Sequence, residues 1–172
     1  MEAERGALVL PGLHHAAVGP LLVRARSAIF VRIPHMTNEM RFEGLTLTVE
    51  NVERSIEFYG GKLGLAVEWK ALPAFAMIRV PGSGGGTIGL LSLDAARDEG
   101  VEAMTAAQKK GIHVELSTDD LDGLYEELKA RGVIFQQPPH DEPWERAMTA
   151  LDPDGYAVEF AQGRRGHNAP KR

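Results

Sequence analysis

Apolar and polar positions follow one order of elements twice along the chain. In the first half, the alternating stretch 41–49 predicts a strand with one buried face, and Asn51 is placed to cap the helix that follows. Three further β-like runs then cover about 66–70, 75–80 and 87–93. The first half therefore predicts the order βαβββ.

The second half repeats this order. Residues 112–118 alternate again, and a helix with an apolar stripe is predicted over about 120–130. Strand patterns follow at 133–137, 147–151 and 156–162. The second half therefore also predicts βαβββ.

Turn and connector patterns separate these elements. Pro138-Pro139 and Asp152-Pro153-Asp154-Gly155 are predicted turns between the last three strands. A polar connector over 94–111, predicted to be partly helical around 102–110, joins the halves.

The repeat can be tested by superposing the halves. A shift of 69 positions (113 minus 44) places Thr48 on Ser117 and Tyr59 on Leu128, and a shift of 70 (159 minus 89) aligns the last strands. The core positions match in character, so an internal duplication explains the pattern.

Composition narrows the class of protein. With 172 residues, of which 44% are hydrophobic and 25% charged, the chain fits one globular domain. A net charge of -5 argues against a nucleic-acid partner, and no apolar run is long enough to span a membrane. Without cysteine, any metal must be held by His, Asp or Glu. We expect a soluble, cytoplasmic protein.

The two ends differ in pattern from the rest. Residues 1–35 contain several Pro and Gly residues that interrupt regular secondary structure, and their apolar positions show no clear period. Glu2 and Glu4 argue against a secretory signal. We expect a poorly ordered extension, or sequence upstream of the natural start. The predicted organisation is an N-terminal extension over 1–39, one domain over 40–163 (module one about 40–94, connector about 95–110, module two about 111–163), and a C-terminal tail over 164–172.

Three segments carry a resemblance to a known family: 45–59, 111–120 and 151–160. Together they resemble the vicinal oxygen chelate superfamily, which includes glyoxalase I, extradiol dioxygenases, fosfomycin resistance enzymes and bleomycin-binding proteins. The resemblance implies an α+β fold of two tandem βαβββ modules that form a curved mixed sheet around a cavity. It also implies a homodimer, either with modules paired within a chain or exchanged between chains.

The resemblance also implies where a metal would be held. Residue matching places the family's ligand positions at Gly44, Gly89, His113 and Glu159. Two of these are glycines, so half of the ligand set is missing. A divalent Lewis acid generally needs three or four protein ligands.

His113 and Glu159 therefore leave several roles open. Glu115, His140 or a partner chain could complete a site for one divalent ion (Zn, Ni, Fe or Mn). Alternatively the pair hydrogen-bonds in a pocket without a metal, or performs acid–base catalysis without one. Both the metal-bound and the metal-free alternative stay open here.

Further residues are expected at the cavity. Trp69, Phe75 and Trp144 are candidates for an aromatic wall, although simple packing is favoured. Arg146 is a candidate for an anionic ligand, although a surface ion pair with Glu142 or Glu145 is favoured. The complete set of predicted cavity residues is Gly44, Thr46, Thr48, Gly89, Glu115, Ser117, Trp69, Phe75, Trp144 and Arg146.

The leading hypothesis is a small-molecule-binding protein of the glyoxalase and bleomycin-resistance type with an incomplete metal-ligand set. One alternative is a metal-dependent lyase, isomerase or dioxygenase that uses His113 and Glu159. A second alternative is a non-catalytic dimer with a vestigial pocket. The expected partners are a small molecule and a second copy of the chain.

Overall fold

The computed structural model describes residues 41–82 and 86–163. The predicted N-terminal extension and the C-terminal tail lie outside these residues. The strands are β1 (Gly44–Val49), β2 (Ala66–Ala71), β3 (Phe75–Arg79), β4 (Thr87–Ser92), β5 (His113–Ser117), β6 (Phe135–Asp141), β7 (Glu145–Leu151) and β8 (Ala157–Gly163). The helices are α1 (Val52–Ile56), which continues as a π-helix over Glu57–Lys62, α2 (Leu93–Asp98), α3 (Ala106–Lys110) and α4 (Leu121–Ala130).

The strands form two mixed sheets with the same topology. Module one has the order β1-β4-β3-β2 and module two the order β5-β8-β7-β6. In each sheet the first and last strands are parallel and the other neighbours are antiparallel. The predicted α+β fold of two βαβββ modules is confirmed.

Each sheet has one face covered by a helix of its own module. On this face the alternate residues are buried, as Leu47 and Ile78 show in module one and Val114 and Met148 in module two. Buried residues of both modules belong to one hydrophobic cluster. We call the opposite side of each sheet its open face.

Capping residues explain where the two module helices begin. Asn51 accepts a hydrogen bond from the backbone N–H of Arg54, and Asp120 accepts one from the backbone N–H of Gly123. These caps fix the helix start directly after β1 and β5. Each helix can therefore fold back onto the sheet that its strand joins.

Two details differ from the sequence prediction. The Pro138-Pro139 pair lies inside β6 instead of forming a turn. β6 is the edge strand of its sheet, and its register with β7 shifts between Gln137 and His140. Proline has no backbone N–H to donate. An edge strand tolerates this, because it pairs with a neighbouring strand on one side only. The connector also contains α2, because the side chain of Ser92 caps a turn that the sequence analysis left unassigned.

Candidate functional site

The parallel pair β5 and β8 positions His113 and Glu159. Glu115 lies beside Glu159 in the register, and His113 lies two residues earlier on the same face. The Nδ1 atom of His113 is 3.6 Å from Oε2 of Glu159, and the two side chains are 45% and 25% exposed. The structure therefore brings the predicted pair together on the open face of module two.

A cavity of about 270 Å³ adjoins Glu159 on this face. Residues of β6, β7, β8 and the β6–β7 turn line it: Gln137, His140, Glu142, Trp144, Glu145, Ala147, Thr149 and Glu159. Its lining is mostly polar, with three carboxylates and the Trp144 ring, so it is more polar than the typical small-molecule pocket.

His140 was a candidate third ligand, and it shares this cavity with Glu159. Its Nδ1 atom is 3.0 Å from the carbonyl oxygen of Pro138, and its Nε2 atom is 3.3 Å from Oε1 of Glu142. Both ring nitrogens thus have partners within β6 and the adjacent turn. These contacts hold the imidazole at the wall of the cavity that Glu159 also lines.

The metal-binding side chains that the described residues bring together do not form a ligand set for a metal ion. Within 41–82 and 86–163 no group of three or more His, Cys, Asp or Glu residues could hold one. Side chains at the two glycine positions would also collide with the sheet. A Cβ atom at Gly44 would overlap the carbonyl oxygen of Thr87, and one at Gly89 would lie 2.8 Å from Oγ1 of Thr46.

Aromatic side chains occupy the open face of module one. The rings of Trp69 and Phe75 have centroids 5.7 Å apart, and the Phe75 ring stands 3.2 Å from where a Cβ of Gly89 would be. Trp69 is 55% exposed and Trp144 is 54% exposed. Trp69 and Phe75 therefore form one aromatic surface in module one, whereas Trp144 belongs to the cavity of module two.

Arg146 lies on the α4 side of β7. It donates hydrogen bonds to Asp122 of α4 and forms an ion pair with Asp141 of β6. The guanidinium lowers the pKa of Asp122 through this hydrogen bond. The favoured pairing with Glu142 or Glu145 is wrong, because alternation along β7 turns Arg146 away from the open face.

Residues of β1 and β5 that were predicted to face one cavity have different surroundings. Thr46 lies opposite Gly89 on the open face. The carbonyl oxygen of Thr48 accepts a hydrogen bond from the Tyr156 hydroxyl at 2.9 Å. Glu115 and Ser117 line a second cavity, which lies between the modules.

A buried carboxylate that the sequence analysis treated only as part of a turn joins the modules. Asp152 accepts hydrogen bonds from the backbone N–H groups of Asp154 and Tyr156 and from the Tyr59 hydroxyl. Burial raises the pKa of Asp152, and burial together with the nearby Asp152 charge raises the pKa of Tyr59. An Asp-Pro-Asp-Gly sequence predicts a turn, and nothing local indicates that its first carboxylate is buried against another module.

Comparison with known proteins agrees with this architecture. The model of the Glyoxalase/Bleomycin resistance protein/Dioxygenase superfamily matches residues 32–160, so the chain belongs to this superfamily. It is 26% identical over 126 residues to the uncharacterized protein YraH of Bacillus subtilis, which covers 70% of this chain and 97% of YraH.

Solved structures show the same fold. A glyoxalase/bleomycin resistance protein/dioxygenase from Nocardioides is 27% identical, with a TM-score of 0.65 over 80% of this chain and 92% of that one. TnmS3, an antibiotic binding protein from Streptomyces sp. CB03234, is 22% identical, with a TM-score of 0.54 over 75% of this chain and 99% of that one. The likeness to TnmS3 shows the fold alone.

None of the described helices combines the length and the apolar character needed to cross a membrane.

Proposed function

We propose that this protein binds a small aromatic or otherwise hydrophobic molecule on its open faces, without metal-dependent chemistry. The observation that carries the proposal is the environment of Gly89. The space that a ligand side chain would need is filled by Thr46 and the Phe75 ring, and Trp69 extends the aromatic surface beside it. A position used for metal binding in the family is thus replaced by an apolar surface.

Exposure of the aromatic groups supports the same proposal. Trp69 and Trp144 each leave more than half of their surface exposed, although large aromatic side chains gain most from being buried. A planar ligand that covers these rings would remove apolar area from water at about 25 cal/mol per Å². His113 and Glu159 supply polar partners next to the cavity of module two.

Tryptophan fluorescence tests this proposal directly, because the chain contains only two tryptophans and each lies on the open face of a different module. We expect saturable quenching by at least one member of a panel of aromatic antibiotics and metabolites, with the same Kd in the presence of EDTA. Trp69→Ala should weaken binding at least about tenfold, which corresponds to ~1.4 kcal/mol. Phe42→Ala is the matched control, since Phe42 is 73% exposed and precedes β1.

The metal-dependent alternative makes the opposite prediction. If His113 and Glu159 held a divalent ion, elemental analysis would find about one ion per chain in the wild type and none in His113→Ala. Binding that EDTA abolishes, together with this loss of metal, would contradict the proposal. If neither the wild type nor His113→Ala retains an ion and ligand binding is intact, the result supports the proposal.

The proposal includes a homodimer in which two copies of the chain meet along β2, the edge strand of module one. Every residue of β2 is exposed, and Val67 and Trp69 are apolar members of this edge strand. Light scattering coupled to size-exclusion chromatography should give twice the chain mass. Val67→Glu should shift the protein toward the monomer, and a monomeric wild type would contradict the homodimer.

A further inference from the structure

The two modules contact each other through reciprocal hydrogen bonds. Lys62 Nζ donates to the carbonyl oxygen of Gly132 at 3.0 Å, and Arg131 donates to the carbonyl oxygen of Lys62 at 3.1 Å. Positions 62 and 131 are 69 residues apart, which is the shift that superposes the modules. The contact therefore joins corresponding positions of the two modules, as an approximate twofold between them would require. We call the region where the modules meet on either side of this contact a seam, and we compare the two seams residue by residue.

Tyrosine side chains fill one of these seams. The Tyr59 hydroxyl donates to Oδ2 of Asp152 at 3.0 Å, and the Tyr156 hydroxyl donates to the carbonyl oxygen of Thr48 at 2.9 Å. Both rings are 0% exposed. The Ser55 hydroxyl approaches Oδ2 of Asp154 at 3.4 Å. We call this set the filled seam.

The counterpart seam contains a cavity of about 320 Å³. Most of its lining is apolar, and it comes from the segment after the π-helix, the residues directly after β3, and β5, α4 and β8. Its lining includes the residues 69 positions after Thr48, Ser55 and Tyr59 of the filled seam, namely Ser117, Leu124 and Leu128.

The turns that approach the two seams explain why one is filled and the other is not. The backbone N–H of Asp152 donates to the Tyr156 carbonyl at 2.9 Å, and the backbone N–H of Val80 donates to the Gly86 carbonyl at 3.1 Å. Val80 therefore corresponds to Asp152, and Gly86 corresponds to Tyr156. Among residues 41–82 and 86–163, no tyrosine ring enters the second seam, because Gly86 stands where Tyr156 does and the isopropyl group of Val80 replaces the Asp152 carboxylate.

The backbone acceptor of the missing tyrosine hydroxyl is nevertheless retained. The N–H of Thr118 donates to the carbonyl oxygen of Ala161 in β8, so the backbone groups of Thr118 face that strand. Peptide groups alternate along a strand, so the carbonyl of Ser117 faces the outer edge of β5. Thr48, its counterpart in β1, uses the same carbonyl to accept the Tyr156 hydroxyl.

From this correspondence we propose that the second cavity binds a small neutral phenol, which takes the place that the Tyr156 side chain occupies in the filled seam. The ring packs against Leu124, Leu128 and Phe160, and the hydroxyl donates to the carbonyl oxygen of Ser117. This cavity lies between the modules and shares no lining residue with the cavity beside Glu159 or with the Trp69–Phe75 surface, so it goes beyond the proposed function. Its volume lies near the lower end of the roughly 300–1,000 Å³ of small-molecule pockets.

The lining also determines which ligands are excluded. Glu115 borders the cavity, so a carboxylate ligand would meet a like charge, and the apolar walls penalise any ion that loses its water. An aromatic ether or hydrocarbon of the same shape would leave the Ser117 carbonyl without a donor. The cavity therefore favours a phenol over an anion and over an apolar isostere.

Amide NMR of the full chain with 4-methylphenol as the probe tests the proposal. We expect saturable shifts at Ser117, Thr118 and Leu128, with little change at Thr149 and Glu159 on the open face. The isostere 4-methylanisole, which cannot donate a hydrogen bond, should bind about tenfold more weakly. Shifts confined to the open face, or equal affinity for the two probes, would overturn the proposal without affecting the proposed function.

A variant that fills the cavity provides an independent test. Leu124→Trp should weaken binding of 4-methylphenol at least tenfold, whereas Ile134→Trp should leave it unchanged, because Ile134 is 82% exposed and does not line the cavity. Unaltered affinity in a folded Leu124→Trp protein would contradict the site. If Leu124→Trp fails to fold, the affinities of the wild type for 4-methylphenol and 4-methylanisole still test whether the cavity binds a phenol.

Discussion

The hydroxyl of Tyr59 donates a hydrogen bond to Oδ2 of Asp152 at 3.0 Å, and both side chains are almost completely buried. Tyr59 lies in the π-helix of module one, and Asp152 begins the turn between β7 and β8 of module two. A buried carboxylate needs several donors to offset lost hydration, and this bond supplies one of them from the other module. The contact therefore couples the folding of the two modules.

Removing this hydroxyl should destabilise the protein. Tyr59→Phe keeps the ring but leaves the buried Asp152 carboxylate short of one donor, so we expect a loss of ~1–3 kcal/mol in the free energy of unfolding. Urea denaturation measures the change. Tyr125→Phe is the control, because its ring packs on Phe135 and no hydrogen bond of its hydroxyl is found in the described region. Equal effects of the two substitutions would contradict this account of the seam.

The raised pKa of Asp152 predicts a pH dependence of stability. The folded state binds this proton more tightly than the unfolded chain does, because burial disfavours the charged carboxylate. Its contribution to the free energy of unfolding therefore decreases as pH rises from the ordinary value of 3.8 through the folded pKa, and is constant above it.

Asp152→Asn isolates this contribution, since asparagine does not titrate but can still accept the two backbone N–H bonds. Urea unfolding of both proteins across the acidic to neutral range gives the difference, wild type minus variant. We expect this difference to fall with rising pH and then level off. A difference that grows with pH would show that Asp152 is stabilised as the anion instead.

Asp154 should contribute more to stability than an exposed aspartate. Its side chain is 0% exposed, and its Oδ1 accepts a hydrogen bond from the backbone N–H of Glu50 at 2.8 Å and lies 3.4 Å from the Arg54 guanidinium. We expect Asp154→Ala to cost ~1–3 kcal/mol in chemical denaturation. Asp94→Ala, which removes a 93% exposed partner of Arg97, should produce no measurable change.

The two glycines at family ligand positions should differ in their tolerance of a side chain. At Gly44 the added Cβ meets the backbone carbonyl of Thr87, which cannot rotate away, so Gly44→Ala should cost about 3 kcal/mol or more. At Gly89 it meets the side chains of Thr46 and Phe75, which can adjust, so Gly89→Ala should cost less. Thermal unfolding compares them, with Gly163→Ala as the control because its added Cβ has open space. A larger cost at Gly89 would contradict the packing described for β1 and β4.

Much of the candidate site could be predicted from strand alternation. The period of two places His113 and Glu159 on one face once β5 and β8 are neighbours, and the family resemblance implies that they are. The partners of Arg146 could not be predicted, because its bonds to Asp122 and Asp141 depend on how β7 packs between α4 and β6. The prediction from sequence proximity, an ion pair of Arg146 with Glu142 or Glu145, was therefore wrong.

The sequence by itself determined the two βαβββ modules, because alternation, helix caps and turn residues are local or follow from the repeat. Together with the family resemblance, the sequence also places glycines at two of the four expected ligand positions. Only the tertiary structure decided the contents of the two seams. In the filled seam, hydrogen bonds join residues that are 93 and 108 positions apart. Thr48 and Ser117 occupy equivalent positions, yet one receives a tyrosine hydroxyl and the other borders a cavity. That difference arises from the turn that the other module brings to each strand, and packing between modules has no periodic pattern in the chain.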